Sequence, residues 1–461
     1  MKNFLLAFSM LISLFSFAQR SPEPFRDGDK IVFAGNSITE AGFYEMYIWQ
    51  YYQLHFPGKK IIVMNGGIGG DVAQQILDRL DDDIQAPKPT VVVMSFGMND
   101  SRYFEYLNTP QEKVRQEAVA ASLKSYRQIE QKLLPLKDTR TIIMTSSPYD
   151  ETLAGKKNHF RGKYATMQEI AKFQQESAKQ HNWAFVDLMK PMTDINIREQ
   201  ERDSNFTLTG PDRIHPGNAG HFAMAWLFLK SQGLANNVVA DVSINARNAK
   251  IKKAENCVVS NVERDASRLL FDYKPNSLPF PKDDQPRVWE NPQKQSEALA
   301  IIPFTEEFNQ EILTVSKLRK QKKYALLIDG QKVGEWNGDA FARGINLATI
   351  TSTPQYKQAE AIAALNLEYR ELEQKLRAYY WLHFNFLRKK GFYFNDSQEA
   401  LDLVNNAPSS EWAVASKRDN YQQARKKEMR EQWTSKMNAI LDEIYRLNQP
   451  VTHKVVIEEV Q

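Results

Sequence analysis

Between Lys30 and Leu188 the chain alternates five short apolar runs, most of them rich in β-branched residues, with longer segments of helical period. The runs are Lys30 to Ala34, Lys60 to Met64, Thr90 to Ser95, Thr141 to Thr145 and Ala184 to Leu188; the helical segments are Phe43 to His55, Val72 to Ile84, Gln111 to Leu134 and Tyr164 to Gln180. Runs without polar alternation fit parallel strands covered on both faces. The pattern therefore predicts an α/β unit with a parallel sheet in a three-layer αβα arrangement. Sheets of this kind bind ligands at the carboxyl ends of their strands, so the chemistry is sought in the turns there.

Four turns carry it. The first run leads into Gly35-Asn36-Ser37-Ile38-Thr39, which presents one serine at the sheet edge; a serine there serves equally well as a helix cap. The second leads into Asn65-Gly66-Gly67-Ile68-Gly69-Gly70-Asp71, where glycines let backbone N–H groups approach a ligand. The spacing is not that of a dinucleotide fingerprint. The third ends in Gly97-Met98-Asn99-Asp100, and the Asn99 amide is a donor suited to an oxyanion. Finally, Asp212-Arg213-Ile214-His215-Pro216 places a carboxylate and an imidazole on one Pro-flanked turn, the carboxylate able to hold the ring so that its other nitrogen acts as base.

These blocks, in this order, resemble the four signature blocks of SGNH (GDSL-type) hydrolases, over roughly half the chain from Asp29 to Gly233. The resemblance implies a flavodoxin-like esterase that needs no metal or cofactor. It makes Ser37 the nucleophile, His215 the general base and Asp212 the group that orients it. The oxyanion hole it implies is the N–H of Ser37 and of Gly70 with the side chain of Asn99. One position departs from the family: its first block reads Gly-Asp-Ser, and this chain has Asn36 there. The chain contains no G-x-S-x-G nucleophile elbow, and none of its seven histidines forms an H-x-x-x-H pair.

Aromatic and basic residues follow the catalytic blocks: Phe43, Tyr44, Arg102, Tyr103, Phe104 and Tyr149. A ring-lined cleft of that kind suits an acetylated glycan, and Tyr44, Arg102, Tyr103 and Tyr149 are the expected substrate contacts. A lipid or thioester hydrolase, or a glycan-binding protein on the same fold, are the alternatives. With 60 basic and 56 acidic residues the net charge of +4 is too small for the electrostatic footprint of a nucleic-acid binder.

Residues 1–18 read as a cleaved signal peptide, with one Lys, a short apolar run and Ala18 before the cut. The run is shorter than the roughly 20 residues of a membrane anchor, and no Cys near the cut offers a lipid attachment. A single cysteine, Cys257, expected to be buried, leaves an exported chain without internal disulfides, which fits a bacterial periplasm.

The expected division is an SGNH domain at 24–234, a β-rich, sandwich-like module at 235–350 and a helical hairpin at 351–461. The module's strands are read at Ala240 to Asn245, Cys257 to Ser260, Leu269 to Tyr273, Ala298 to Phe304, Ile312 to Val315 and Tyr324 to Ile328, with a hairpin turn at Asp329-Gly330. A Pro-rich connector spans Lys274 to Pro292. Stripes at Ile362, Leu365, Tyr369, Leu372, Leu376 and Tyr379, and at Trp433, Met437, Ile440 and Ile444, predict two long antiparallel helices joined by a loop from Gly391 to about Ser416. Trp381, Phe384, Phe386, Phe392, Tyr393 and Phe394 crowd the end of the first as a sugar platform, a lid or a satellite core.

Overall fold

The computed structural model describes residues 19–155, 157–265, 267–288 and 291–460. The expected signal peptide lies outside them.

Five parallel strands, β1 (Lys30–Gly35), β2 (Ile62–Gly67), β3 (Val91–Phe96), β4 (Arg140–Thr145) and β5 (Ala184–Val186), form one sheet in the order β2-β1-β3-β4-β5. Ile31 pairs with Val63 on one side and Val91 on the other. The strand order reverses at β1, so the crevice at the carboxyl ends of β1 and β3 is the topological switch point, where such sheets bind ligands. Ser37 follows β1 and Asn99 follows β3.

Two elements differ from the sequence reading. β2 extends into the glycine loop, because Gly66 and Gly67 lie flat against β1; a Cβ on Gly67 would sit 2.1 Å from the Glu40 nitrogen. The segment read as one helix from Val72 to Ile84 is a helix at Ala73–Asp78 and a π-helical turn at Leu80–Ile84. The break draws Arg79 into the interior, where its side chain is 1% exposed.

The β-rich part has two sheets around one apolar cluster. One holds β6 (Ala240–Asn245) and β7 (Lys250–Glu255); the other holds β8 (Cys257–Arg264) and β9 (Arg268–Pro275). The first continues with β10 (Glu311–Ser316) and, further on, the two-residue β13 (Ile345–Asn346). The second continues with β11 (Lys323–Ile328) and β12 (Gln331–Asn337), joined by the expected Asp329-Gly330 turn with both residues at positive φ. Cys257 is half-buried at the start of β8 and not fully enclosed.

Ala298 to Phe304 is not a strand. It is part of a 3₁₀ helix (Gln295–Ala300) and an α-helix (Phe304–Phe308), whose Phe304 and Phe308 share one face and pack beside Phe222, Phe280 and Tyr51. A short apolar run does not distinguish the two states, and here packing on the αβα core decided it. The chain also does not end in helix: β14 (His453–Glu459) inserts between β11 and β9, its alternate residues Val455 and Ile457 buried in the module's core.

The two long helices are Pro354–Leu382 and Lys427–Leu447, antiparallel, with Lys436 paired to Glu368 at 2.6 Å and Gln358 donating to the Leu447 carbonyl at 2.6 Å. The region between them contains short helices at Gln398–Asn405 and Trp412–Ala415, where a loop was expected, and a third at Arg418–Ala424.

One face of the first long helix grips the turns after β1 and β2. Arg370 donates to the Ala41 carbonyl (2.8 Å), Gln374 to that of Glu40, Arg377 to that of Gly67 (3.0 Å) and Trp381 to that of Gly69 (2.8 Å). The spacing of four, three and four puts all of them on one side of the helix. Arg377 also clasps Asp83 with two bonds, at 2.7 and 2.8 Å. Asp83 in turn meets Arg79, which bonds Asp71 (2.7 Å) and the Gly35 carbonyl (3.0 Å).

Two predictions follow from this packing. Arg377→Met leaves Asp83 short of a buried partner and should cost about 3–5 kcal/mol in urea unfolding of the full chain, with loss of activity at temperatures where the variant is still folded. The second concerns Glu311, which is buried and accepts bonds from Tyr273 and Gln355, both at 2.8 Å. Burial pushes its carboxyl up to about 7. Its second oxygen lacks a partner among the described residues, so ionisation leaves a buried negative charge only partly satisfied. A raised folded pKa gives stability that is complete below about 4.5 and lost as pH rises through about 7, up to about 3 kcal/mol. Glu311→Gln, which keeps a donor at every pH, should remove that slope and be more stable than the parent at pH 8 in the same unfolding assay.

Candidate active site

Ser37 opens a one-turn helix (Ser37–Glu40) whose cap is Asn36. The Asn36 side-chain oxygen accepts from the Ile38 N–H at 3.0 Å, so the amide at the departing position supplies the cap. The Ser37 hydroxyl lies 2.9 Å from His215 Nε2, across 178 residues of chain. His215 Nδ1 lies 2.5 Å from Asp212 Oδ2, while Asp212 Oδ1 accepts from the Ile214 and His215 N–H groups, each at 3.0 Å. Burial acts to raise the Asp212 carboxyl, but the bonds from His215 and Ile214 outweigh it and hold it below the usual range. The carboxylate is therefore ionised at neutral pH, fixing the ring with Nε2 toward the serine. The His215 side chain is 46% exposed, so the site opens to solvent.

The glycine loop is tied to the serine turn by Ile68 N–H to the Gly35 carbonyl (3.0 Å) and by the Asn65 amide to the Thr39 carbonyl (2.7 Å). Gly70 has φ +88°, a backbone that favours glycine, and among the described residues neither its N–H nor that of Ser37 meets an acceptor. The Asn99 amino group gives one hydrogen to the Asp71 carbonyl at 2.9 Å, which holds it beside Gly70 with its second hydrogen available. Asp100 is buried and accepts from Ala73 N–H (2.9 Å), Gly97 N–H (3.0 Å) and Ser122 (2.7 Å), locking the Asn99 turn to the helix after the glycine loop.

Of the expected substrate contacts, two are corrected. Tyr44 is buried beneath the serine turn, its hydroxyl on Thr39 Oγ1 at 3.0 Å and its ring stacked on His221. Tyr149 is fully buried, its hydroxyl bonded to the Asn158 carbonyl and to Phe160 N–H. Tyr103 lies close to the site but spends its hydroxyl on Asn99 Oδ1, at 2.6 Å. Arg102 is part-exposed and pairs with Glu117 at 2.8 Å. Phe43 is covered by the Arg370 guanidinium, and Phe104 stands 69% exposed. Trp381, from the aromatic cluster, reaches the glycine loop as a hydrogen-bond donor.

Arg213 was missed. It lies inside the Asp212–His215 turn at φ +68°, is 1% exposed, and gives its guanidinium N–H groups to the carbonyls of Asp150, Leu153, Ala154, Gly155 and Lys157 at 2.7–3.2 Å. It anchors the turn that holds the imidazole. Its only sequence signal was its place between the acid and the base.

The family model described as GDSL-like Lipase/Acylhydrolase family matches residues 33–223, and that described as Diltiazem deacetylase C-terminal helical domain matches residues 360–449. A solved structure of a gut microbial diltiazem-metabolizing enzyme is 40% identical, covers 96% of this chain and 100% of its own, and superposes with a TM-score of 0.93. An acetylxylan esterase from Geobacillus stearothermophilus is 27% identical over 222 residues, 45% of this chain and 94% of the relative. With the serine, imidazole and carboxylate in line and 96% of the chain matched, the protein belongs to the SGNH (GDSL-type) hydrolases and is an ester-hydrolysing member of that family.

Proposed function

We propose that this protein is an exported, periplasmic O-acetyl esterase that deacetylates carbohydrate through Ser37, His215 and Asp212. The observation that carries the chemistry is the Ser37 to His215 contact at 2.9 Å, backed by Asp212. Ser37 Oγ attacks the acetyl carbonyl while His215 Nε2 takes its proton. The oxyanion is received by the N–H groups of Ser37 and Gly70 and the free amino hydrogen of Asn99. Collapse breaks the bond to the sugar oxygen, which takes the proton from His215 and leaves as the sugar hydroxyl. Water, deprotonated by the same nitrogen, then releases acetate and restores the serine.

The acetyl group is supported by the acetylxylan esterase likeness over the αβα part and by the word deacetylase in the name of the helical-domain family. The exposed His215 supports a carbohydrate chain, whose acetyl groups reach an open site without the polymer entering a tunnel. A second reading, an acetylated small molecule, is supported by the full-length likeness to the diltiazem-metabolizing enzyme.

Acetate release from acetylated xylo-oligosaccharides, diltiazem and 4-nitrophenyl acetate decides between them. Ser37→Ala and His215→Ala should each lower kcat by about 10³-fold or more with little change in melting temperature; a parental rate in either variant rejects the assignment. Asn36→Ala should cost about 1 kcal/mol through loss of the cap, whereas Asn36→Asp keeps an acceptor there and should keep the fold but, by adding a negative charge beside the nucleophile, change the rate or pH optimum modestly.

A further inference from the structure

We propose that Lys163 is a positioning residue for this esterase: its buried amine holds the segment from Met98 to Tyr103 so that Asn99 presents its amino group to the oxyanion. The proposal rests on the reading of Asn99 as an oxyanion donor.

Lys163 begins the helix Lys163–Gln180, and its side chain has no exposed surface. Its Nζ donates to the Met98 carbonyl (2.5 Å), Ser101 Oγ (2.6 Å) and the Arg102 carbonyl (2.7 Å). The carbonyls only accept, and Ser101 gives its own hydroxyl hydrogen to the Met98 carbonyl at 2.9 Å, so it too accepts from the lysine. Three acceptors require three N–H bonds, and a neutral amine has two. The ammonium form supplies all three. Its remaining side faces the Tyr103 ring, whose centroid is 3.8 Å away, with that of Tyr149 at 5.7 Å.

Among the described residues no carboxylate pairs with it. The charges that face it are Asp100 on the loop and Glu105 at the start of the one-turn helix Glu105–Asn108. Asp100 is occupied by Ala73, Gly97 and Ser122, and Glu105 by the Tyr103 N–H. A buried cation without a counter-ion is costly, and burial pushes this one well below the ordinary lysine range. What it holds is specific: its three acceptors bracket Asn99, one before it and two after. It also fixes the carbonyl of Arg102, a residue at φ +62°, where a non-glycine backbone is strained. The next residue, Tyr103, donates to Asn99 Oδ1 and so turns the amino group toward Asp71 and Gly70.

The test uses the full chain with Lys163→Met, Tyr103→Phe and Asn99→Ala, singly and combined. Turnover of 4-nitrophenyl acetate is followed against pH, and amide hydrogen exchange of residues 97–103 is followed by mass spectrometry. Lys163→Met is expected to lower kcat by about 10–100-fold with KM within a few-fold, and to add nothing further in the Asn99→Ala background, as for residues that act through one group. Exchange of residues 97–103 should accelerate, and an alkaline loss of activity in the parent, below the usual lysine range, should be absent from the variant. Unchanged exchange in a folded Lys163→Met protein, or a loss that multiplies with that of Asn99→Ala, overturns the proposal. Should Lys163→Met not fold, Tyr103→Phe carries the same test, with about a tenfold loss of kcat expected and non-additivity with Asn99→Ala decisive. A parent that releases no acetate overturns the esterase reading instead, and the exchange data still decide whether Lys163 orders the loop.

Discussion

A buried chain of four charges, Asp71, Arg79, Asp83 and Arg377, fixes the geometry on which the site depends. None of the four side chains is more than 6% exposed. Two acids face two bases, so the group is neutral as a whole, and each arginine spends a remaining N–H on a backbone carbonyl: Arg79 on Gly35, Arg377 on Gly67. Those carbonyls end β1 and β2, the first at the start of the serine turn and the second inside the glycine loop. A hydrophobic replacement of the same volume would pack as tightly, but it would not tie these two strand ends to each other through directed bonds. Burial raises Asp71 to about 6, whereas Asp83, held by both arginines, stays below its usual range despite burial. Asp83 is thus the anionic centre of the group.

Because Arg377 comes from the helical region, that region belongs to the active-site scaffold. The long helix buries Ile362, Tyr369 and Leu372 in the same core as the helix Tyr44–His55 after the serine turn, and its polar residues at 370, 374, 377 and 381 cap carbonyls that the turns leave open. The last strand, β14, then returns to the β-rich module and supplies the centre of its larger sheet. The three parts are therefore interlocked in both directions along the chain, and removing the residues after 350 takes away a sheet strand as well as the helix that grips the catalytic turns.

The αβα layer was legible because parallel strands read as unbroken apolar runs and the catalytic blocks sit at their ends. Ser37, Asp212 and His215 meet as the family resemblance implied. The β14 strand was not legible: HKVVIEE is short and alternates weakly, and its place depends on β9 and β11, which lie 124 or more residues away in sequence at the nearest bond, as Asp329 to His453 illustrates. The aromatic residues misled for a different reason. Tyr44 and Tyr149 are as suited to a sugar face as Tyr103, and only packing reveals that the first two are enclosed. Lys163 and Arg213 were missed because a lysine or arginine in sequence reads as a solvated residue. Each instead serves as the internal cation of a catalytic turn, satisfied by backbone carbonyls that no sequence pattern displays.

The same electrostatics give a reason for Asn36. The Arg79 bond to Gly35 brings the neutral charge group to the residue immediately before Asn36. Asn36 itself is buried, and its side chain accepts the Ile38 N–H. An aspartate would accept that bond equally well, but it would set a third acid beside a group whose two arginines already balance two carboxylates. An amide caps the turn without that charge. With Glu40 also on this turn, its carboxyl raised by burial even though Lys417 and Arg377 oppose the shift, negative charge around the nucleophile is already costly, and a neutral residue at 36 leaves Asp212 as the ionised carboxylate in contact with the imidazole.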